Sequence, residues 1–337
     1  YCNWRRVDCK IKTMRKLIVI NLIVLITLIF LLEIFANFFK LSGLMGIQSG
    51  LIYEKNGFHF LSPNTSGIVF GKKVYTDKYG FRVPNLTFDY NNKKNILIIG
   101  DSTTFGNGVL EEETFTGILR NKYKKINFLN SAVPGYQIRN HSENLKILKR
   151  SENFNEIDKI IYFFSLNDVF SVSNVTQINN KKIKEGDSKL KKLKLINFLN
   201  SKLRNKSYLY MYLKGISSDP SKRWYQSIDK YYSKNDISKI SDYFLDLKEF
   251  AKEKNADFHL FVIPYEYQTR KCDESDLIPQ KKLAKTFKKN KIDFFDLTEE
   301  FCANNKPNSL YYKFDPAHLS VNGHKFVFNS INEKINF

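Results

Sequence analysis

At 337 residues, 42% of them hydrophobic and 26% charged, the chain is too apolar for a disordered polymer and has enough material for one α/β domain plus additions. Its 54 Lys and Arg against 34 Asp and Glu give a formal net charge of +20. That excess favours anionic surfaces, but Lys, Asn, Ile and Phe are enriched throughout, and charge of this diffuse kind does not make nucleic acid a partner.

Of the four cysteines, Cys2 and Cys9 precede Met14 in a stretch without recognisable pattern, and Met14 reads as the start. Cys272 and Cys302 remain. They suit an oxidised bridge if the domain lies outside the cytoplasm, and two unconnected thiols fit the sequence equally well. No Cys or His cluster has metal-ligand spacing, so neither metal nor cofactor is expected.

Residues 17–39 read LIVINLIVLITLIFLLEIFANFF, and their only charge, Glu33, lies toward the far end. At 1.5 Å per residue this run can cross a bilayer core of about 30 Å. A cleaved signal peptide would have an apolar region of about 7–15 residues ending in small side chains, and a buried core helix would show a polar face. Arg15 and Lys16 precede the run, while Lys40 and Lys55 are the cations close behind. The positive-inside rule then puts residues 1–16 in the cytoplasm, 17–39 in the membrane and everything after residue 40 outside.

Residues 40–94 form an entry segment, with turns at Asn56-Gly57, Ser62-Pro63-Asn64 and Lys78-Tyr79-Gly80, and are expected to cover a sheet edge. From residue 95 short apolar runs alternate with helical stretches: strand 95–99, helix 114–123, strand 126–130, helix 137–149 and strand 159–165. After an insertion at about 171–235 the alternation resumes with helix 240–254, strand 258–263, helix 278–289, strand 292–297 and a closing helix over 322–335. Strands alternating with helices predict a three-layer α/β sandwich around a central parallel sheet in residues 95–337. The insertion carries KKIKEGDSKLKKLK and then the Tyr-rich SYLYMYL. As a lid its lysines would meet an anionic substrate or the membrane surface; the plainer reading is a solvated loop.

The first strand of the sheet runs into Gly100-Asp101-Ser102. A serine at the carboxyl end of such a strand stands where these folds place their ligands. Its hydroxyl needs a base to take the proton, and the base needs a third group to hold its tautomer. Among the five histidines His318 lies in Asp315-Pro316-Ala317-His318, just before the last helix, and this spacing lets the carboxylate fold back onto Nδ1. His324 is expected to face out from that helix, and His59, His141 and His259 have no companion carboxylate.

Gly100-Asp101-Ser102, Gly135 in NSAVPG, Asn167 in SLND, and Asp315 with His318 resemble, in order, the four sequence blocks of the SGNH (GDSL-type) hydrolase family. The similarity covers roughly residues 93–335, and TDKYGFRVP at 76–84 resembles a lead-in of anchored members. The resemblance implies a flavodoxin-like fold, Ser102 as nucleophile, His318 as base and Asp315 as its orienting partner. It further implies an oxyanion hole from the backbone N–H groups of Ser102 and Gly135 and the side-chain amide of Asn167. Ser165 departs from the pattern, standing where the third block usually has glycine; a side chain there narrows the pocket or shifts Asn167. The implied activity is a serine esterase acting on O-acyl groups of a cell-envelope glycan, a lipid or a small ester. The alternatives are an O-acyltransferase on the same triad and a non-catalytic anchored module that holds an acidic polymer. Oligomeric state is not readable.

Overall fold

The computed structural model describes residues 4–43, 46–55, 57–90, 92, 94–149, 156–171 and 194–337. Helix α1 (Trp4–Phe38) contains the apolar stretch Thr13–Phe38, long and apolar enough to cross a membrane, with a mean hydropathy of 3.0. From Thr13 to the end of α1 every side chain is exposed except Glu33, half-buried, and Ala36, buried. The entry segment follows as an antiparallel hairpin, β1 (Ile52–Lys55) and β2 (Phe58–Leu61), and then β3 (Ser66–Val69), β4 (Lys72–Thr76) and β5 (Arg82–Val83).

The sheet proper begins with β6 (Lys94–Gly100), α2 (Ser102–Phe105), α3 (Phe115–Lys122), β7 (Ile126–Asn130), α4 (Ile138–Lys149) and β8 (Lys159–Ser165). Past the insertion come α8 (Ile240–Glu253), β9 (Asp257–Ile263), α9 (Glu266–Thr269), α10 (Ile278–Lys289), β10 (Phe295–Asp296), α11 (Thr298–Ala303) and α12 (Val321–Lys334). Five strands are parallel, and the eight-stranded sheet has the order β10-β9-β8-β6-β7-β5-β4-β3. The entry segment therefore does more than cover an edge. Residues Arg82 and Asn130 pair antiparallel, so β5, β4 and β3 extend the sheet and make it mixed. The run 292–297 yields only the two paired residues of β10, because at the sheet's other edge it bonds on one side alone.

Alternation along the central strands builds two cores. Leu97, Ile99, Ile160, Tyr162, Leu260 and Val262 point to one face, where α4, α8 and α10 pack. Ile96, Ile98, Ile161, Phe163 and Phe261 point to the other, against α3, α11 and α12. Burial on both faces is why these strands read as continuous apolar runs.

The Lys-rich centre of the insertion lies outside the described residues. From Lys194 onward, where a solvated loop was the plainer expectation, the chain is helical: α5 (Lys194–Leu203), α6 (Tyr208–Ser218) and α7 (Pro220–Lys234). Local chemistry accounts for the starts. The Ser207 hydroxyl accepts from the Tyr210 amide at 3.0 Å, and Asp219 caps α7 with Pro220 in its first turn. On α7, Tyr225, Ile228 and Tyr232 recur at helical spacing and join the first core, so this part of the insertion belongs to the folded body.

Helix α6 packs on α1. Glu33 accepts from the Ser207 hydroxyl at 2.6 Å and from the amides of Tyr208 and Leu209 at 2.7 and 3.2 Å. The one carboxylate of the apolar run thus caps the opening turn of α6, where a helix has unpaired N–H groups. A disulfide joins Cys272, just after α9, to Cys302 on α11, with Cα atoms 5.9 Å apart.

Candidate active site

Strand β6 delivers Ser102 through a turn that requires glycine. A Cβ on Gly100 would stand 2.0 Å from Thr104 Oγ1, so only glycine lets the strand turn at once into α2. Asp101 caps α2, its carboxylate accepting from the Thr103 amide at 2.9 Å. Ser102 is then the first helical residue, where backbone N–H groups have no partner within the helix.

The turn is held from outside by a residue for which the sequence reading found no role. Arg82, fully buried within TDKYGFRVP, donates to the carbonyls of Phe105, Gly106 and Val109 at 2.6, 2.7 and 2.6 Å. Burial and the neighbouring Arg120 charge push its pKa down to about 9. The only early signal was the phrase itself, because the partner carbonyls lie 23 to 27 residues away.

The D-x-x-H segment closes on itself. Phe314 takes the left-handed conformation (φ 65°) and turns the chain into Asp315. Asp315 Oδ1 accepts from the amides of Ala317 and His318 at 2.9 and 2.8 Å, and Oδ2 lies 2.8 Å from His318 Nδ1. On the other side of the ring, Nε2 is 2.9 Å from Ser102 Oγ. Asn107 Nδ2 stands 3.5 Å from the same nitrogen, and Phe70 packs edge-on against the ring at 4.9 Å.

Burial alone would push the His318 imidazolium down, but the charge and hydrogen bond of Asp315, with the charge of Asp101 behind, outweigh it, and the net shift is upward. For Asp315 burial pushes up, and the His318 charge and hydrogen bond with two backbone amides hold the carboxyl below its ordinary value. His324, expected to face out, is instead fully buried. It packs on Phe115 with Nδ1 3.4 Å from the Phe115 amide, and burial pushes its pKa down to about 3. The helix that carries it lies against α3, which turns that face inward.

Gly135 lies on the loop after β7, and Asn167 in the 3-10 turn Leu166–Ser171 directly after β8. The loop after β7 is tied to the turn at Ser102: the Val133 amide donates to the Gly100 carbonyl at 3.1 Å. Ser165, which departs from the pattern of the resemblance, is buried at the end of β8, and its amide donates to Asp168 Oδ2 at 3.3 Å. Gly135 has φ +84°, which glycine adopts freely, and His59 Nε2 sits 2.9 Å from the Pro134 carbonyl next to it. Asn167 Oδ1 accepts from the hydroxyl of buried Tyr265 at 2.5 Å, which points its NH₂ the other way. Nothing in the sequence ties Tyr265 to a residue 98 positions away.

Surface clefts beside α8, one lined by Ser142, Leu145, Asp246 and Glu253 and one by Asp236, Asp242, Lys282 and Lys289, contain none of these residues.

No protein-family model and no curated protein matches the chain. Among solved structures it is similar to the acetyl xylan esterase AlAXEase, at 15% identity and a TM-score of 0.42 over 72% of this chain and 100% of that one. It is also similar to TesA, at 11% identity and a TM-score of 0.41 over 71% and 96% of the two chains. A member of the lipolytic protein G-D-S-L family from Veillonella parvula DSM 2008 gives 13% identity and a TM-score of 0.40 over 71% and 97%.

Proposed function

We propose that the chain is a membrane-anchored serine hydrolase of the SGNH type that cleaves O-acyl esters through an acyl-serine intermediate. One observation carries the reading: His318 reaches Ser102 Oγ at 2.9 Å with Nε2 and a buried carboxylate at 2.8 Å with Nδ1. In the proposed first step Oγ bonds to the ester carbonyl carbon while His318 Nε2 takes its proton. Collapse of the adduct breaks the C–O bond, and His318 returns the proton to the departing alkoxide. Water then attacks the acyl-serine with His318 again as base, releasing the carboxylic acid and restoring Ser102. Asp315 holds the Nδ1–H tautomer and stabilises the transient imidazolium. The N–H groups of Ser102 and Gly135 and the NH₂ of Asn167 are the proposed donors to the carbonyl oxygen as it becomes negative. The Tyr265 hydroxyl on Asn167 Oδ1 supports that orientation.

Residues 1–16 are proposed as cytoplasmic, 17–39 as the anchor, 40–94 as the entry segment and 95–337 as the catalytic unit outside the membrane. Arg15 and Lys16 before the apolar helix support this, as does a disulfide, which belongs to an oxidising compartment. Acyl groups on an envelope glycan or lipid are the substrates within reach of such an anchor.

The test is labelling with a fluorophosphonate probe, read by intact mass, beside release of acetate from a chromogenic acetyl ester. Wild type should label and turn over, and Ser102→Ala and His318→Ala should do neither. A folded wild type inert in both assays would sink the proposal. Addition of a glycan acceptor separates hydrolysis from transfer to a sugar hydroxyl.

A further inference from the structure

We infer that α6 is a second membrane contact, lying in the headgroup boundary of the bilayer that α1 crosses, with Leu213 and Ile216 turned toward lipid. The inference rests on reading α1 as a membrane span, and its depth is set by Glu33. Counted from Leu17 at 1.5 Å per residue, Glu33 lies about 24 Å along the helix, within the last ~6 Å of a hydrocarbon core about 30 Å thick. A carboxylate at that level is costly unless it finds donors. Its donors are the Ser207 hydroxyl and the amides of Tyr208 and Leu209, so the first turn of α6 is held at the same height. Ala36, one turn further along α1, is fully buried beneath the junction. Beyond it, Ser42 Oγ donates to the Tyr208 carbonyl at 3.0 Å and the Lys40 ammonium lies over the Tyr208 ring at 4.6 Å.

From that mount α6 shows two faces. Gly215, its one buried residue, rests on Phe314. Leu213 and Ile216 are 50% and 57% exposed, and Phe198 of neighbouring α5 is 57% exposed. One exposed apolar side chain is ordinary. Three on helices fixed at the edge of the hydrocarbon make the arrangement of an interfacial helix. Exposed Lys202, in the last turn of α5, and exposed Arg204 and Lys206, between α5 and α6, are placed by this seating at the level of lipid phosphates, where long cationic side chains reach. A lipid surface is the occupant that fits, because α1 brings it to this face.

The test uses the full chain in phosphatidylcholine–phosphatidylglycerol nanodiscs, with Cys2→Ser and Cys9→Ser to clear background thiols. An environment-sensitive fluorophore is attached through Leu213→Cys or Ile216→Cys. Ile29→Cys on α1 and Lys230→Cys on the exposed side of α7 serve as references. The expected result is blue-shifted emission at 213 and 216, quenched by lipid spin-labelled at a shallow acyl position, with position 230 unquenched. If 29 is quenched while 213 and 216 both report water, the seating is overturned and the anchor stands. If 29 is unquenched as well, the anchor and the seating fall together. Neither readout depends on catalysis.

Discussion

The hydrogen bonds around His318 make its protonation the first thing to measure. A base must be neutral, and the net shift of His318 is upward from 6.5. The acid limb of kcat/KM should therefore have its midpoint above about 6.5, activity being lost as pH falls through it. Asp315→Asn removes the carboxylate that outweighs burial, so the limb should move below about 6.5, and kcat should drop by about 10⁴ as the tautomer is lost. A pH–rate profile of the two forms checks both. Tyr265, the proposed positioning residue for Asn167, has its own signature. Asn167→Ala should cost about 10² to 10³ in kcat with KM little changed. Tyr265→Phe should lower kcat in wild type and add little in the Asn167→Ala background, as expected of groups acting in one chain. The grouping of Ser102, Asp315 and His318 was legible because four short blocks resembling one family occur in order along the chain. Tyr265 was not, because its bond to Asn167 joins segments 98 residues apart.

Elements show the same division. The parallel strands were readable from apolar runs, yet β5 was not, since a two-residue strand with a single residue paired to β7 leaves no periodic trace. Helix α7 hid inside a Lys-rich composition although Tyr225, Ile228 and Tyr232 carry its helical period. What the entry segment contributes energetically is concentrated in Arg82. In Arg82→Met, the carbonyls of Phe105 and Val109 lose their donor while that of Gly106 keeps the Val109 amide, and at about 1–3 kcal/mol for each buried unpaired group the loss should be about 2 kcal/mol or more. Chemical unfolding measures the stability, and fluorophosphonate labelling at a temperature where the variant is folded measures the loop. Labelling as fast as wild type would show that the clamp serves stability alone.

Across the whole molecule, the disulfide ties the region after α9 to α11 over a sequence separation of 30. A loop of that length should contribute about 3 to 4 kcal/mol by restricting the unfolded chain. Cys272→Ser with Cys302→Ser, or reductant on wild type, should lower the free energy of unfolding by that amount, and with it the midpoint of unfolding. An unchanged midpoint under reductant would show the bridge to be absent.

The pairing of Ser102 with His318 spans 216 residues of sequence. During synthesis the proposed nucleophile leaves the ribosome first and waits, at 5–20 residues per second, roughly 10–40 s for its proposed base. Throughout that interval a serine hydroxyl without its imidazole is inert. On the proposed mechanism reactivity is switched on only when the loop before α12 closes onto the first strand of the parallel sheet. On that reading the long sequence separation works as a delay, keeping the proposed ester-cleaving group silent while the chain is still in transit.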